Sequence, residues 1–175
     1  QETCDVMKIR LGADSAGHYQ AATIGQAIDV NGVSVRFMPA GHVLGSCQIV
    51  VECHGMRICI SGDYKRLHDP TCASFEPVQS DVFVTEATFG LPVFVHPDAN
   101  GEIAKLLESL RSNPESDHFV GAYSLGKAQR IIRILRDLGH DDEILLHGSM
   151  ETLCSYYQSR GVELGKLANL IDAGA

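Results

Sequence analysis

No run of about 18 apolar residues occurs in the 175-residue chain, and its opening, QETCDVMKIRLG, has neither the basic flank nor the apolar stretch of a secretory leader. The sequence therefore predicts no membrane-spanning helix and no membrane partner, and a cytoplasmic location is expected. An excess of positive charge is also lacking: 14 Lys and Arg stand against 22 Asp and Glu, a formal net charge of -8. That balance argues against a generally basic nucleic-acid binder, while leaving room for a local basic rim in a cleft. There is no C-x-x-C pair. The six cysteines (Cys4, Cys47, Cys53, Cys59, Cys72 and Cys154) are scattered and several fall at strand positions, which fits free thiols in a reducing compartment better than zinc ligands or disulfides. Internal repeats and low-complexity segments are absent. What remains is a chain of 45% hydrophobic content, enough for one ordinary core or two small ones. It begins with Gln1 rather than Met, in what reads as the middle of a helix, so a piece of a longer protein is expected.

Val6, Met7 and Leu11 suit a short helix from Glu2 that stops at Gly12. From Thr23 to Ser61 the apolar period becomes two. QAIDV and VSVRFM flank Asn31-Gly32, a strong hairpin signal, and SCQIVVEC and MRICISG flank His54-Gly55 as a second hairpin. DVFVTEATFG adds a strand over 82–85 whose end delivers Glu86 into a loop. Beyond residues 92–101 the pattern becomes β-α-β-α, the signature of a parallel sheet. A helix carries Ile103, Leu106, Leu107 and Leu110, HFVGAY follows as a strand, and a strongly periodic helix carries Leu125 to Leu138. EILLH is a further strand, and a helix runs from about Met150 to Arg160.

The second hairpin bears on chemistry. Strand 46–53 runs out about 25 Å at roughly 3.3 Å per residue and 56–62 returns as far, so the residues before the first and after the second share a rim. His42, in GHVLGS, and Asp63, in SGDYKR, hold those two places, with Gly41, Gly45, Ser46 and Gly62 giving room for close backbone approach. Glu86 joins the same edge if its strand runs parallel to 56–62. Such a rim suits a metal or acid-base site; on spacing alone, the same residues are more simply explained as loop formers. Two donors also fall short of the roughly three protein ligands of a catalytic zinc.

The segments PAGHVLGSCQIVVE, ISGDYKRLHDPTCASFEPVQSDVFVTEATFGLP and YSLGKAQRIIRIL resemble the metallo-β-lactamase fold nucleases of the β-CASP group. Within that group the likeness is greatest to the bacterial ligase-associated DNA exonucleases, often labelled as relatives of the mRNA 3'-end processing nuclease. The resemblance implies an α/β architecture: a partial metallo-β-lactamase αββα sandwich over 1–96, then part of an inserted β-CASP α/β cap over 97–175. It also implies that His42 is a metal ligand, that Asp63 is the catalytic aspartate bridging two metal ions, and that Glu86 is the acidic residue orienting a catalytic histidine. The implied cofactor is zinc, two ions, with manganese as the alternative, because metal binding brings the pKa of water from about 15.7 to about 7. The implied activity is hydrolysis of DNA phosphodiester bonds by an exonuclease acting in repair beside a DNA ligase and a helicase, with RNA as the other possible substrate. The family's H-x-H-x-D-H signature is absent from this chain, as are its later histidine motifs, so the chain alone is not expected to hold two metals or to cut DNA.

Lys65 and Arg66 flank Asp63 and are candidates for steering a phosphate. In YSLGKAQR, Ser124, which suits an N-cap, and Lys127 are candidates to meet a nucleic-acid phosphate, with Gly126 letting backbone N–H groups approach, although P-loop spacing is missing and an ordinary capped helix is the simpler reading. His147 is read as a strand-end residue rather than a ligand, and Tyr156 and Tyr157 as packing residues. Two other functions stay open: a small-molecule metallo-hydrolase of the same fold, disfavoured by the α/β cap, and a non-catalytic nucleic-acid-binding or scaffold relative. A sheet lacking its first strands would expose an edge, so poor solubility or edge-to-edge dimerisation is expected.

Overall fold

The computed structural model of the chain describes residues 1–171. The chain divides into two compact units, Gln1–Thr88 and a second that begins at Phe89. The first holds a helix and five strands: α1 (Glu2–Leu11), β1 (Ala27–Val30), β2 (Val33–Pro39), β3 (Cys47–Cys53), β4 (Met56–Ile60) and β5 (Val82–Val84). They form one sheet in sequence order, antiparallel except for the parallel pair β4–β5. Both expected hairpins are present with two-residue turns. Asn31 and Gly32 (φ 54° and 82°) and His54 and Gly55 (φ 49° and 77°) all take the left-handed conformation that matches strand twist.

The two faces of this sheet differ. One carries Gln48, Val50 and Cys59, which are buried, and it is covered by the long segment between β4 and β5. There the Tyr64 ring lies 5.1 Å from Phe75 and meets Phe83 edge-on at 6.1 Å. The Gln48 amide, fully buried, donates to the carbonyls of Pro39 (3.0 Å) and Glu76 (2.7 Å), fixing that segment to the sheet. On the opposite face, register sets Phe37, Ile49, Ile60 and Val84 in one row across β2 to β5, and Val35, Val51, Ile58 and Val82 in the next. Both rows are wholly apolar. Among the described residues no helix is long and apolar enough to cross a membrane. No disulfide joins the six cysteines, and burial pushes the Cys59 and Cys154 thiols up.

The second unit contains α2 (Ala99–Ser112), α3 (Lys127–Asp137), β6 (Ile144–Leu146), α4 (Gly148–Ser159) and β7 (Leu167–Asn169). Asp98 caps α2 by accepting the Gly101 N–H at 2.8 Å. Ala128, Ile132 and Leu135 are spaced along one buried stripe of α3, and α4 buries Leu153, Cys154 and Tyr157. A parallel pair is present, but it is made by β6 and β7, not by HFVGAY and EILLH. Residues 118–123 are not a strand: no neighbouring strand accepts their ladder, and Phe119 and Tyr123 are 84% and 76% exposed. β7 went unanticipated because three residues, Leu-Ala-Asn, are too few to show a period.

Arg136 holds this unit's loops in place. Its guanidinium donates to four carbonyls: Leu164 (2.9 Å), His140 (2.5 Å), Asp142 (2.7 Å) and Lys166 (2.9 Å). The fit leaves no space at Gly165 (φ 68°), where an added Cβ would collide with Arg136 Nε. A point-charge ammonium cannot reproduce that fork. Arg136→Ala is expected to destabilise the second unit by about 3 kcal/mol or more, with Arg136→Lys giving little recovery, in denaturant unfolding of the whole chain.

Candidate functional site

Strand direction brings the candidate residues to one edge of the first sheet. β3 begins there and β4 and β5 end there, because β3–β4 is antiparallel and β4–β5 parallel. His42 lies in the loop entering β3. Ser46 closes that loop: its hydroxyl accepts the N–H groups of His42 (3.0 Å) and Val43 (3.1 Å), its own N–H donates to Val43 O (2.9 Å), and its carbonyl accepts Ala40 N–H (3.0 Å). Gly41 lets this loop touch the segment after β4. Its φ is 70°, and a Cβ there would stand 2.5 Å from Lys65 O and 2.7 Å from Phe75 N. Lys65 N–H donates to Ala40 O at 3.0 Å across the same approach. Asp63 follows β4 through Gly62 (φ 56°), after Ser61 N–H has extended the ladder to Val84 O (2.9 Å).

The result is a pairing of two side chains remote in sequence: His42 Nε2 lies 3.7 Å from Asp63 Oδ2, with both side chains open to solvent, 44% and 72% exposed. Glu86, two residues past β5, comes to the same edge. Its carboxylate accepts Thr88 N–H at 2.8 Å. Hydrogen bonding from Thr88, with a smaller contribution from the charge of His42, holds its pKa below the ordinary carboxylate value. Glu86 is therefore ionised at neutral pH.

The basic candidates separate. The Lys65 ammonium is turned onto the buried Asp69 carboxylate, which also accepts Thr71 N–H (2.9 Å) and the Thr71 hydroxyl (2.6 Å). That partner lies within the same loop, four residues on. Arg66, three residues after Asp63 in the chain, is exposed. In the second unit Ser124 is not the N-cap of α3. Gly126 (φ 80°) holds that position, and the buried Gln129 side chain binds its N–H (2.7 Å) and the Ser124 carbonyl (2.9 Å). Lys127 is exposed, its ammonium 5.1 Å from the Tyr123 ring centre. His147 caps α4, accepting Ser149 N–H at Nδ1 (3.2 Å).

Imidazole and carboxylate are the donor types zinc takes, but among the described residues no group of three or more His, Cys, Asp or Glu side chains converges to hold a metal. His42 and Asp63 by themselves are fewer than the roughly three protein ligands a catalytic zinc takes.

His42, Asp63 and Glu86 thus stand on strand-end loops at one edge of the first sheet. The chain belongs to the metallo-β-lactamase fold, β-CASP nuclease family. It is similar to Endoribonuclease YSH1 of Saccharomyces cerevisiae (34% identity over 137 residues, 75% of this chain and 17% of that protein) and to Endoribonuclease ysh1 of Schizosaccharomyces pombe (31% over 144 residues, 80% and 18%). A third relative is the Cleavage and polyadenylation specificity factor subunit 3 of Dictyostelium discoideum (32% over 114 residues, 63% and 14%). The chain thus spans 14% to 18% of the length of these relatives. No profile of a known protein family matches it.

Two outcomes test this geometry. Gly41→Ala forces both a strained φ and a backbone overlap, and is expected to destabilise the first unit by about 2 kcal/mol or more in denaturant unfolding. The Glu86 carboxyl, followed by NMR, should titrate below 4.5. Thr88→Pro, which removes the donor N–H, should move that midpoint up toward it. Because the folded pKa is the lower one, the contact's contribution to stability is present above about 4.5 and is lost as pH falls through the folded value.

Proposed function

We propose that this chain carries part of the catalytic edge of a metal-dependent nuclease that hydrolyses phosphodiester bonds in RNA. Residues 1–96 would form part of its metallo-β-lactamase domain and residues 97–175 part of its β-CASP cap. The observation that carries the reading is the convergence of His42 and Asp63, at 3.7 Å, on an edge that Glu86 shares. In this reading His42 and Asp63 are two donors of a zinc site completed by groups other than those of this chain. Bound zinc supplies an acidified water and stabilises charge on phosphate oxygens.

The chain's own residues have narrower tasks. Ser46 fixes the His42 backbone, so the imidazole is delivered from a closed loop rather than a mobile one. The ionised Glu86 carboxylate is an acceptor able to orient an imidazole N–H. Arg66 is an exposed cation three residues after Asp63 and suits a backbone phosphate; Lys127, exposed in the second unit, is a candidate for such a contact by itself. The choice of RNA rests on relatives that bear the name endoribonuclease. A DNA exonuclease working with a ligase and a helicase rests on motif likeness alone.

The test is cleavage of end-labelled RNA and DNA oligonucleotides, with zinc or manganese added, by the product of the complete reading frame. Internal cleavage of RNA is expected, reduced at least about a hundredfold by His42→Ala or Asp63→Ala. Arg66→Ala should mainly raise KM. Stepwise shortening of DNA with RNA left intact would establish the exonuclease instead. No cleavage of either, in a protein that binds the oligonucleotides, would make this a binding module.

A further inference from the structure

The segment between β4 and β5 is tied down where it passes the His42 loop. Lys65 N–H donates to Ala40 O (3.0 Å) and Glu76 N–H to Pro39 O (3.2 Å), so both ends of the stretch 65–76 are fastened to the residues that lead into Gly41 and His42. Within that stretch the side chains of Lys65 and Asp69, four residues apart, close a turn. The Asp69 carboxylate is 2% exposed and both of its oxygens are committed: one takes the Lys65 ammonium, the other the Thr71 N–H (2.9 Å) and hydroxyl (2.6 Å). Arg66, Leu67 and His68, the residues the turn encloses, are all exposed, Leu67 to 72%. A desolvated ion pair therefore closes a turn whose intervening side chains stay in solvent, one of them a bulky aliphatic.

We infer that the Lys65–Asp69 pair is a positioning device, presenting Arg66, Leu67 and His68 as one contact ridge for single-stranded RNA at the rim that carries His42 and Asp63. The inference rests on the nuclease reading above. The location follows from the chain. Asp63 is two residues before Lys65, and the Lys65 carbonyl abuts Gly41, which precedes His42: it lies 2.5 Å from a Cβ placed there. Consecutive Cα atoms are about 3.8 Å apart, so the ridge begins within a few residue lengths of both candidate donors. Its chemistry suits an unpaired strand. A guanidinium gives charge-assisted hydrogen bonds to a backbone phosphate, an imidazole reaches a phosphate oxygen or a sugar hydroxyl, and an aliphatic side chain covers the face of a base. None of the three is acidic, in a chain whose formal charge is -8. A turn already closed by its own ion pair loses less freedom when a strand binds. Lys65 and Asp69 are thus positioning residues, and Arg66, Leu67 and His68 are the contacts.

The test uses the product of the complete reading frame and an end-labelled single-stranded RNA oligonucleotide, with two readouts: equilibrium binding across a range of salt without added metal, and steady-state cleavage with zinc or manganese. Arg66→Ala is expected to weaken binding about fivefold or more and to lower the salt slope by about 0.7. Asp69→Asn, which removes the charge that holds Lys65, should reproduce most of that loss, raising KM with kcat kept within about twofold. The double variant should bind no worse than Arg66→Ala alone, because nothing is left to position. Losses that add in full, or a fall in kcat alone, would confine Asp69 to the fold and overturn the inference. If Asp69→Asn does not fold, Arg66→Ala, Leu67→Ser and His68→Ala decide, all at exposed positions: unchanged binding in all three overturns it. A parent that cleaves RNA while these variants bind as it does would leave the nuclease reading standing and remove this one. A parent that binds without cleaving would remove the nuclease reading, and the binding data would still decide the ridge. A parent that does neither overturns both.

Discussion

A single buried amide sets the geometry of the first unit. Gln48 has no solvent to fall back on, so both hydrogen bonds that its amide nitrogen donates, to Pro39 O and Glu76 O, and the one its oxygen accepts from the Cys59 thiol must be made within the protein. Making them pins the start of β3 to the end of β2 and to the segment that follows β4. The loop holding His42 hangs from the first of these points, and the segment holding Asp63 runs toward the second. Gly41 then permits what Gln48 arranges, since any side chain there would collide with the Lys65 carbonyl. The candidate site is thus positioned by groups with no role in its chemistry.

The second unit shows the same logic with a charge in place of an amide. Arg136 answers four carbonyls from the turn after α3 and from the stretch leading into β7, so a two-stranded sheet of three-residue strands is held by a side chain as much as by its ladder. Lys65 also serves the fold, through Asp69. Both cases show why a cation beside an interesting residue is poor grounds for a ligand contact until its acceptors are known.

Much of the secondary structure was legible because it obeyed local rules. Asn31-Gly32 and His54-Gly55 announced their hairpins through backbone conformations that few other residue pairs adopt, and the apolar stripe of α3 announced its helix. HFVGAY misled for the complementary reason: an apolar β-prone run specifies a strand only when a neighbour accepts its hydrogen bonds. Ser124 misled because Gln129, three residues past Gly126, outcompeted it for the orphan N–H of the helix end.

By itself the sequence determined the meeting of His42 and Asp63, because a two-residue turn and strands of matched length leave their ends no other place to be. It determined the family too, through motifs that are specific in combination. Tertiary structure alone decided that Gln48 fastens the segment after β4 to the first sheet and that β7 completes the second. It also decided that one face of the five-stranded sheet is covered and the other is not. Each of these depends on contacts between segments whose separation in the chain carries no periodic signal, so only their packing could bring them to light.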